Sequence, residues 1–337
     1  MSPVKETSEA VPATLSDDQP VITVRGLKKR YGEVEAVRGI DLDVAPGETF
    51  GFLGPNGAGK TTTISMLCTL TRPTEGTAKV AGHDVVSERA EVRRNIGLVF
   101  QETTLDGYLS GAQNLRFHAD LYGVPSAEAA ERIAWVLDLV GLTDRRDSLV
   151  RTYSGGMRRR LEIARGLMHA PRVLFLDEPT IGLDPQTRAA IWKHIDELKR
   201  REKITIFLTT HYLEEAECCD RIAIIDHGRI AALDRPSALK AGVGEDRVHL
   251  ETADDKAAAE VLRDRFGLEP VTAGGTVTIT VPDGERFVPQ LFEKLGVPIR
   301  AVRVARPSLD DVFLAHTGTS IRDTRDALRR GRMMMKG

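Results

Sequence analysis

The stretch TFGFLGPNGAGKTT, from Thr49 to Thr62, decides the fold of this chain. Thr49 to Leu53 predict a buried strand, and Thr62 to Leu70 behind the glycines predict a helix. A strand, a glycine-rich loop and a helix in this order open a mononucleotide-binding α/β domain. The glycines let backbone N–H groups turn towards a phosphate, and the helix presents its positive N-terminal end to the same anion. We therefore expect Lys60 to reach the β- and γ-phosphates of a nucleotide and Thr61 to bind Mg²⁺.

A second stretch, VLFLDEP from Val173 to Pro179, places two acidic residues directly after an apolar run. The run predicts a buried strand that carries Asp177 to a metal ion beside the phosphate loop. Glu178 projects in a different direction and is expected to activate water for attack on the γ-phosphate. Two solvated acids at a strand end are the alternative, which the phosphate loop in the same chain disfavours.

A third stretch, YSGGMRRRLEIARGL from Tyr153 to Leu167, predicts a second helix with an anion-binding N-terminus at Ser154. Arg158, Arg159 and Arg160 crowd its first turn, where the helix dipole prefers acidic residues. We hypothesise from this local conflict that an anionic partner lies near the arginines. The alternative is an ordinary N-cap followed by a basic helix face.

Together these motifs resemble the ATP-binding subunit of an ATP-binding-cassette (ABC) transporter, over Val21 to Leu233. The resemblance implies an α/β P-loop NTPase cassette, with a mixed sheet core and a helical subdomain, and ATP and Mg²⁺ as cofactors. It implies that Glu178, His211, Lys60 and Gln101 are catalytic and that Thr61, Gln101 and Asp177 bind Mg²⁺. The residues that it implies bind ATP are Tyr31, Gly54, Pro55, Asn56, Gly57, Ala58, Gly59, Lys60, Thr61, Thr62, Ser154, Gly155, Gly156 and Asp184.

Two features refine the resemblance. Tyr153 and Met157 stand where the family usually has Leu and Gln, whereas the serine and glycines between them are intact. PSLDDVFLAHTG, from Pro307 to Gly318, resembles the closing segment of drug-resistance exporter ATPases of the daunorubicin/doxorubicin type. Alternatively, Leu309, Val312 and Phe313 have helical spacing and simply pack on the C-terminal domain.

The length of 337 residues is enough for about two domains. Changes in composition and in residue pattern predict where each part begins and ends. We predict a disordered N-terminal arm (1–20), an ABC ATP-binding domain (21–235) with a helical subdomain (about 102–170), a linker (about 235–245), a C-terminal α+β domain (246–318) and a basic, Met-rich tail (319–337). The C-terminal domain has a β-α-β-α-β pattern that suggests a ferredoxin-like sandwich with a regulatory or dimerisation role.

The charge balance and hydropathy of the chain limit the kinds of molecule with which it is expected to interact. The 47 Lys and Arg residues nearly balance the 49 Asp and Glu residues, so no global field attracts nucleic acid, and no nucleic-acid partner is expected. No apolar run approaches the roughly 18–20 residues of a membrane helix. If the chain serves transport, as its resemblance to an ABC subunit implies, another chain must provide the membrane path. The resemblance therefore implies a separate multi-span membrane permease subunit, with this chain peripheral on the cytoplasmic face of the membrane.

We expect the permease to dock on the helical insertion near Thr103 to Leu121. The exposed apolar residues predicted for this contact are Leu105, Tyr108, Leu109 and Leu115. The alternative is that some of them form the core of the subdomain.

The resemblance also implies a head-to-tail homodimer in the ATP-bound state, in which one nucleotide lies between Lys60 of one protomer and Ser154 of its twin. The function expected first is ATP hydrolysis that energises an exporter of a drug or antibiotic. Alternatives are export of lipid, polysaccharide or another metabolite, a soluble ABC ATPase acting on DNA or ribosomes, and a nucleotide-binding regulatory module without turnover.

Overall fold

The computed structural model describes residues 19–273 and 275–318. The predicted tail, and all but the last two residues of the predicted arm, lie outside the described residues. The described chain divides into two compact units. Unit 1 extends to His211 and includes Ile225–Ile230, and unit 2 consists of Tyr212–Ile224 and the described residues from Ala231 onwards. The predicted boundaries of the ABC domain and of the C-terminal domain stay predictions.

Strands and helices alternate along most of the described chain. The strands are β1 (Ile22–Tyr31), β2 (Val34–Val44), β3 (Thr49–Leu53), β4 (Glu75–Val80), β5 (His83–Asp84), β6 (Ile96–Val99), β7 (Val173–Asp177), β8 (Thr205–Thr210), β9 (Arg221–Asp226), β10 (Arg229–Asp234), β11 (Asp246–Thr252), β12 (Val271–Ala273), β13 (Thr276–Val281) and β14 (Ile299–Ala305). The helices are α1 (Lys60–Leu67), α2 (Arg89–Asn95), α3 (Gly111–Leu121), α4 (Ser126–Leu139), α5 (Gly155–Gly166), α6 (Pro185–Glu202), α7 (Leu213–Ala216), α8 (Pro236–Val243), α9 (Asp255–Phe266), α10 (Gly284–Lys294) and α11 (Leu309–Thr317).

The strands β3, β8, β7 and β6 of unit 1 lie side by side in this order and run parallel. Every residue of β3, β7 and β8 is buried, as expected for parallel strands that are covered on both faces. The ring of Phe207 lies 5.4 Å from the rings of Phe50 and Phe175, centroid to centroid. Because parallel strands end at one edge of a sheet, the phosphate loop after β3 and the acids that end β7 are on the same side of unit 1.

A second sheet of unit 1 is antiparallel, with the strand order β2-β1-β4-β5. β1 and β2 form a hairpin in which Tyr31 pairs with Val34. The side chains of Ile22, Val24 and Leu27 are completely buried and give β1 its apolar face. Parallel and antiparallel strands combined with helices confirm the predicted α/β fold class of the cassette.

The helices α3, α4 and α5 lie in the predicted helical subdomain. α3 begins with a capping box, because the Ser110 hydroxyl accepts a hydrogen bond from the Gln113 N–H and the Gln113 side chain accepts one from the Ser110 N–H. The prediction that Leu115 contacts a partner is wrong, because its side chain is fully buried in the subdomain. None of the helices in the described residues is both long enough and apolar enough to cross a membrane.

The C-terminal part of unit 2 is a four-stranded antiparallel sheet with the order β12-β13-β11-β14. This strand order and the chain order β-α-β-β-α-β are those of the ferredoxin-like fold, as predicted. The short strand β12 is the element that the predicted β-α-β-α-β pattern lacks. The core contains Val248, Leu250 and Ile279 from the sheet and Leu262 and Leu291 from α9 and α10.

The segment predicted as a linker is instead the helix α8. Pro236 occupies its first turn, where the fixed φ angle of proline favours the start of a helix. α8 packs against α11 within unit 2. Leu309, Val312 and Phe313 of α11 are buried, as the packing alternative for the closing segment expects.

Candidate functional site

The loop between β3 and α1 encloses the side chain of Lys60. Its Nζ atom donates hydrogen bonds to the carbonyl oxygens of Gly54 at 2.8 Å and Pro55 at 3.1 Å. The side chain of Lys60 is only 4% exposed. The motif therefore holds one cation inside a loop of backbone groups, which is the arrangement that a phosphate-binding loop needs.

Two glycines of this loop are required by close approach of other backbone atoms. A Cβ atom on Gly54 would lie 2.3 Å from the carbonyl oxygen of Ile225, and one on Gly59 would lie 2.5 Å from that of Ala36. Gly59 also has a φ of +105°, and the exposed Gly57 has a φ of +85°. These positive angles are open to glycine and strained for other residues, so the tight turn depends on the glycine positions that the motif predicts.

Asp177 and Thr61 supply oxygen atoms at the mouth of the loop. The hydroxyl of Thr61 lies 3.4 Å from Oδ1 of Asp177, and the hydroxyl of Thr209 donates to the same oxygen at 2.5 Å. The described residues contain no group of three or more His, Cys, Asp and Glu side chains that could hold a metal alone. One hydroxyl and one carboxylate nevertheless suit Mg²⁺, which commonly takes one or two protein ligands and completes its shell with phosphate oxygens and water.

Glu178 lies between two positively chargeable side chains. Its Oε1 atom is 3.3 Å from Nζ of Lys60, and its Oε2 atom is 3.3 Å from Nδ1 of His211. All three side chains are buried. The backbone of Glu178 has a φ of +46°, a left-handed conformation that costs a non-glycine residue about 1–3 kcal/mol. The structure therefore keeps a strained backbone at the residue predicted to be the catalytic base.

The electrostatic surroundings keep Glu178 ionised. Burial raises its pKa, but the hydrogen bond with His211 and the positive charge of Lys60 outweigh burial, so the pKa lies below its usual value. Burial also lowers the pKa of Lys60, and the nearby carboxylates of Glu178 and Asp177 offset part of that effect. Glu178 is therefore a carboxylate at neutral pH, which is the form that accepts a proton.

The helix α5 presents the residues of the third motif. Ser154 is its N-cap, with a side-chain oxygen that accepts a hydrogen bond from the Met157 N–H at 3.2 Å. Ser154 and Gly155 are exposed, so the helix tip is open to solvent. Tyr153 is buried, and its hydroxyl donates to the carbonyl of Arg145 at 2.6 Å. The unusual tyrosine of the motif thus packs inside the subdomain.

The three arginines of α5 find partners within their own chain. Arg158 donates to the carbonyl of Tyr153 at 2.6 Å, and Arg160 donates to that of Val140 at 2.7 Å. Arg159 is buried and donates to several backbone carbonyls at the end of β7. Carbonyl oxygens of the same chain therefore compensate much of the positive charge on these arginines. That charge was the reason to expect an external anionic partner.

The remaining predicted site residues lie at the ends of three other elements. Gln101 is exposed in the bend that follows β6. Asp184 is the N-cap of α6, where its Oδ1 atom accepts from the Thr187 N–H at 3.0 Å. Tyr31 is half exposed at the end of β1, with Nζ of Lys29 lying 4.8 Å from the centre of its ring. Their roles toward ATP, and those of Asn56, Thr62 and the exposed helix tip, stay predictions.

Thr209 is a site residue that the sequence analysis missed. Besides its bond to Asp177, its hydroxyl accepts a hydrogen bond from the backbone N–H of Glu178 at 3.0 Å. The signal was its position on β8, two residues before His211, where the strand register sets it beside Asp177. Only the parallel pairing of β7 with β8 makes that position informative.

Comparison with known proteins agrees with this geometry. The ABC transporter family model matches residues 37–181, and the model for the C-terminal domain of DrrA1-3-like ATP-binding proteins matches residues 235–317. The chain is 44% identical over 307 residues to the daunorubicin/doxorubicin resistance ATP-binding protein DrrA of Streptomyces peucetius, covering 88% of this chain and 92% of DrrA. This chain belongs to the ATP-binding proteins of the ABC transporter family.

Other members and a solved cassette support the same assignment. The ABC protein described here is 39% identical over 309 residues to the Nod factor export ATP-binding protein I of Ralstonia nicotianae, covering 90% of this chain and 96% of that protein. It also resembles an ATP-binding cassette solved as a dimer in a post-hydrolysis state bound to ADP and Pi, with a TM-score of 0.58 and 25% identity over 64% of this chain and 98% of that one. The fold is thus that of an ABC ATPase, as predicted.

Proposed function

We propose that this ABC protein hydrolyses ATP and thereby energises an exporter whose membrane path is a separate permease subunit. One observation carries the proposal: the buried carboxylate of Glu178 lies 3.3 Å from Lys60 and 3.3 Å from His211, at the mouth of a phosphate-binding loop. If Glu178 and Lys60 formed an ion pair with a purely structural role, the pair would not require a phosphate-binding loop beside it. A base, a phosphate-directed cation and a histidine in one buried cluster are what γ-phosphate hydrolysis requires.

The chemistry follows from the position of each side chain. Glu178 accepts a proton from the attacking water, and Lys60 donates to the β- and γ-phosphate oxygens in place of the carbonyls of Gly54 and Pro55. Mg²⁺ held by Thr61 and Asp177 would neutralise charge that develops on the phosphates. His211 holds the carboxylate of Glu178 in place and orients the γ-phosphate, and Gln101 would be a further ligand of the metal or of the attacking water.

A homodimer completes the proposed site. Ser154 and Gly155 form an exposed helix tip with free access for an anion. Two copies related by two-fold symmetry would place this tip of one protomer over the phosphate loop of its twin, so that one nucleotide is shared at each of two sites. The dimeric state of the solved cassette that this chain resembles, bound to ADP and Pi, supports a dimer.

The permease is proposed to dock in a groove of unit 1 beside the helical subdomain. The groove has a volume of about 480 Å³, and its lining includes Phe100, Leu109, Phe117 and Leu121. Phe117 is 66% exposed and Leu121 is 69% exposed. Exposed apolar side chains in a groove are typical of surfaces that a partner covers. Docking there makes the chain peripheral to the cytoplasmic face of the membrane.

The proposed cargo is a drug or antibiotic. The name of the relative DrrA, daunorubicin/doxorubicin resistance protein, and the match of the C-terminal region to the DrrA1-3-like model support this cargo. Another exported metabolite is the second candidate, because the relative named for Nod factor export is 39% identical over 90% of this chain.

Phosphate release from ATP and Mg²⁺ by the purified chain tests the hydrolytic proposal. We expect Lys60→Ala to abolish turnover, whereas Lys193→Ala, on the exposed face of α6, should leave it unchanged. Equal turnover in the Lys60→Ala variant would refute the assignment of the phosphate loop.

A further inference from the structure

The side chain of Arg159 joins the helix of Ser154 to the strand end that carries Glu178. Its Nε atom donates to the carbonyl of Pro179 at 2.6 Å, and its Nη2 atom lies 3.2 Å from the carbonyl oxygen of Asp177 and 3.4 Å from that of Glu178. Arg159 is only 8% exposed. One guanidinium therefore holds three successive carbonyl groups at the end of β7.

The third nitrogen of the same guanidinium reaches the loop after β6. Nη1 of Arg159 donates to the carbonyl of Phe100 and to Oε2 of Glu162, the latter at 3.2 Å. Glu162 is 1% exposed, and its Oε1 atom accepts from the N–H of Thr104 at 2.6 Å. The loop that carries Gln101 is therefore tied on both sides to the pair formed by Arg159 and Glu162.

The shape of the arginine side chain explains why it suits this position. A guanidinium is planar and always charged, and its five N–H donors form a rigid fork. A lysine carries its charge on one ammonium group, which could donate hydrogen bonds to only some of the oxygen atoms that accept from Arg159. Because the backbone of Glu178 has a φ of +46°, it needs external groups that hold it there. Thr209 holds its N–H, and Arg159 holds its carbonyl.

We propose that Arg159 is a positioning residue for ATP hydrolysis, which fixes the strained backbone of Glu178 so that its carboxylate stays between Lys60 and His211. The inference rests on the proposed role of Glu178 as the base. Arg159 does not touch the reacting atoms itself. Its position on the helix of Ser154 also gives the helix tip a direct mechanical connection to the base.

A positioning role differs from simple packing in how it divides kcat from KM. If the carboxylate of Glu178 loses its place beside Lys60 and His211, proton transfer from water slows, whereas the phosphate loop still binds ATP. The kcat value then falls while KM and the stoichiometry of ATP binding stay close to those of wild type. General destabilisation instead lowers the fraction of folded chain, which the stoichiometry of ATP binding reports.

The test compares Arg159→Gln with wild type and with Arg160→Gln, a matched variant one residue along that loses bonds to the carbonyls of Val140 and Gly141. The measurements are kcat and KM for ATP and the affinity and stoichiometry of ATP binding, all on the full chain. We expect Arg159→Gln to lower kcat about 10-fold or more, to change KM by less than about threefold, and to keep the ATP-binding stoichiometry of wild type. Arg160→Gln should stay within about twofold of wild type in each measurement.

Arg159→Lys provides a second reading, including the case in which Arg159→Gln does not fold. It should give a kcat between those of Arg159→Gln and wild type, with the KM of wild type. Wild-type kinetics in the lysine variant, kinetics of Arg159→Gln equal to those of Arg160→Gln, or a fall in kcat matched by an equal loss of ATP-binding stoichiometry would each overturn the proposal. If Glu178→Gln retains full turnover, the proposed function fails. If only the Arg159 variants are unaffected, this inference alone fails.

Discussion

The Nζ atom of Lys60 lies 3.3 Å from Oε1 of Glu178, and both side chains are almost completely buried. Burying two opposite charges costs desolvation, which is recovered only when good geometry and further hydrogen bonds satisfy both groups. Here the carbonyls of Gly54 and Pro55 serve the lysine, and His211 serves the carboxylate. Both charges of the pair are therefore compensated by neighbouring groups beside the phosphate loop. Single substitutions at these positions should have measurable effects on turnover and stability.

Glu178→Gln should stop turnover while preserving ATP binding. The amide keeps the size of the side chain but cannot accept a proton, so we expect phosphate release to fall at least about 100-fold. With ATP and Mg²⁺ present, the bound nucleotide should then hold two protomers together, which gel filtration with light scattering detects. Glu202→Gln, on α6, is the matched control and should turn over normally. Monomers alone under these conditions would contradict the shared nucleotide site.

Asp177→Asn should raise the Mg²⁺ concentration needed for half-maximal turnover. The substitution removes the charge from Asp177, one of the three proposed ligand side chains, and disturbs its hydrogen bond with Thr209. An increase of about 10-fold or more is expected from the loss of a charged ligand. Titration of turnover with Mg²⁺ measures it, with Asp196→Asn on the exposed face of α6 as the control. An unchanged Mg²⁺ requirement would argue against Asp177 as a ligand.

Alanine substitutions at two glycines of the loop should differ in severity. A Cβ atom at Gly54 would meet the carbonyl oxygen of Ile225 at 2.3 Å, whereas at Gly57 nothing lies within 4 Å and only the φ of +85° opposes alanine. We expect Gly57→Ala to cost about 1–2 kcal/mol and Gly54→Ala to cost clearly more, because backbone must move. Thermal melting of both variants compares them. Equal melting temperatures would show that the loop relaxes freely around position 54.

The contribution of Glu178 to stability should depend on pH in a defined direction. Its folded-state pKa lies below the ordinary value of 4.5, so its stabilising contribution is present above that pH and is lost as the pH falls through the folded-state pKa. The melting temperature of wild type should therefore exceed that of Glu178→Gln at neutral pH, and the difference should shrink below pH 4.5. If the difference in melting temperature between wild type and Glu178→Gln stayed constant down to about pH 3, the lowered pKa of Glu178 would be contradicted.

Substitutions in the groove should separate docking from hydrolysis. Phe117→Ser and Leu121→Ser remove exposed apolar side chains that line it. Each should weaken co-purification with the permease, while the turnover of the isolated chain stays within about twofold of wild type. Val86→Ser, an exposed valine that is not among the residues lining the groove, is the control. Undiminished permease binding in both groove variants would exclude this surface as the docking site.

Much of the fold could be predicted because its signals are local. The apolar runs of β3 and β7 and the glycine-rich turn between Leu53 and Lys60 each state a backbone requirement within a few residues. The helix α8 was missed because Pro and Gly mark turns as well as helix ends, and only its packing against α11 within unit 2 separates the two. Strand β12 is a short edge strand, and its pairing with β13 is what defines it.

The sequence predicted the residues of the candidate site better than it predicted the contacts between them. Lys60, Asp177, Glu178 and His211 were all named from motifs, and the structure brings them together at the start of α1 and the ends of β7 and β8. Exposure, however, was predicted wrongly for Leu115, because a helix buries one face and the sequence pattern alone does not say which neighbour covers it.

The amino-acid sequence by itself determined the strand, loop and helix around Lys60 and the glycines that the tight turn requires, because those demands act between neighbouring residues. Only the tertiary structure decided that Thr209 bridges Asp177 and Glu178 and that Arg159 holds the carbonyls beside the base. These partners come from segments far apart in the chain. Which of them meet depends on strand register and side-chain direction in the packed core, and no local pattern encodes that outcome.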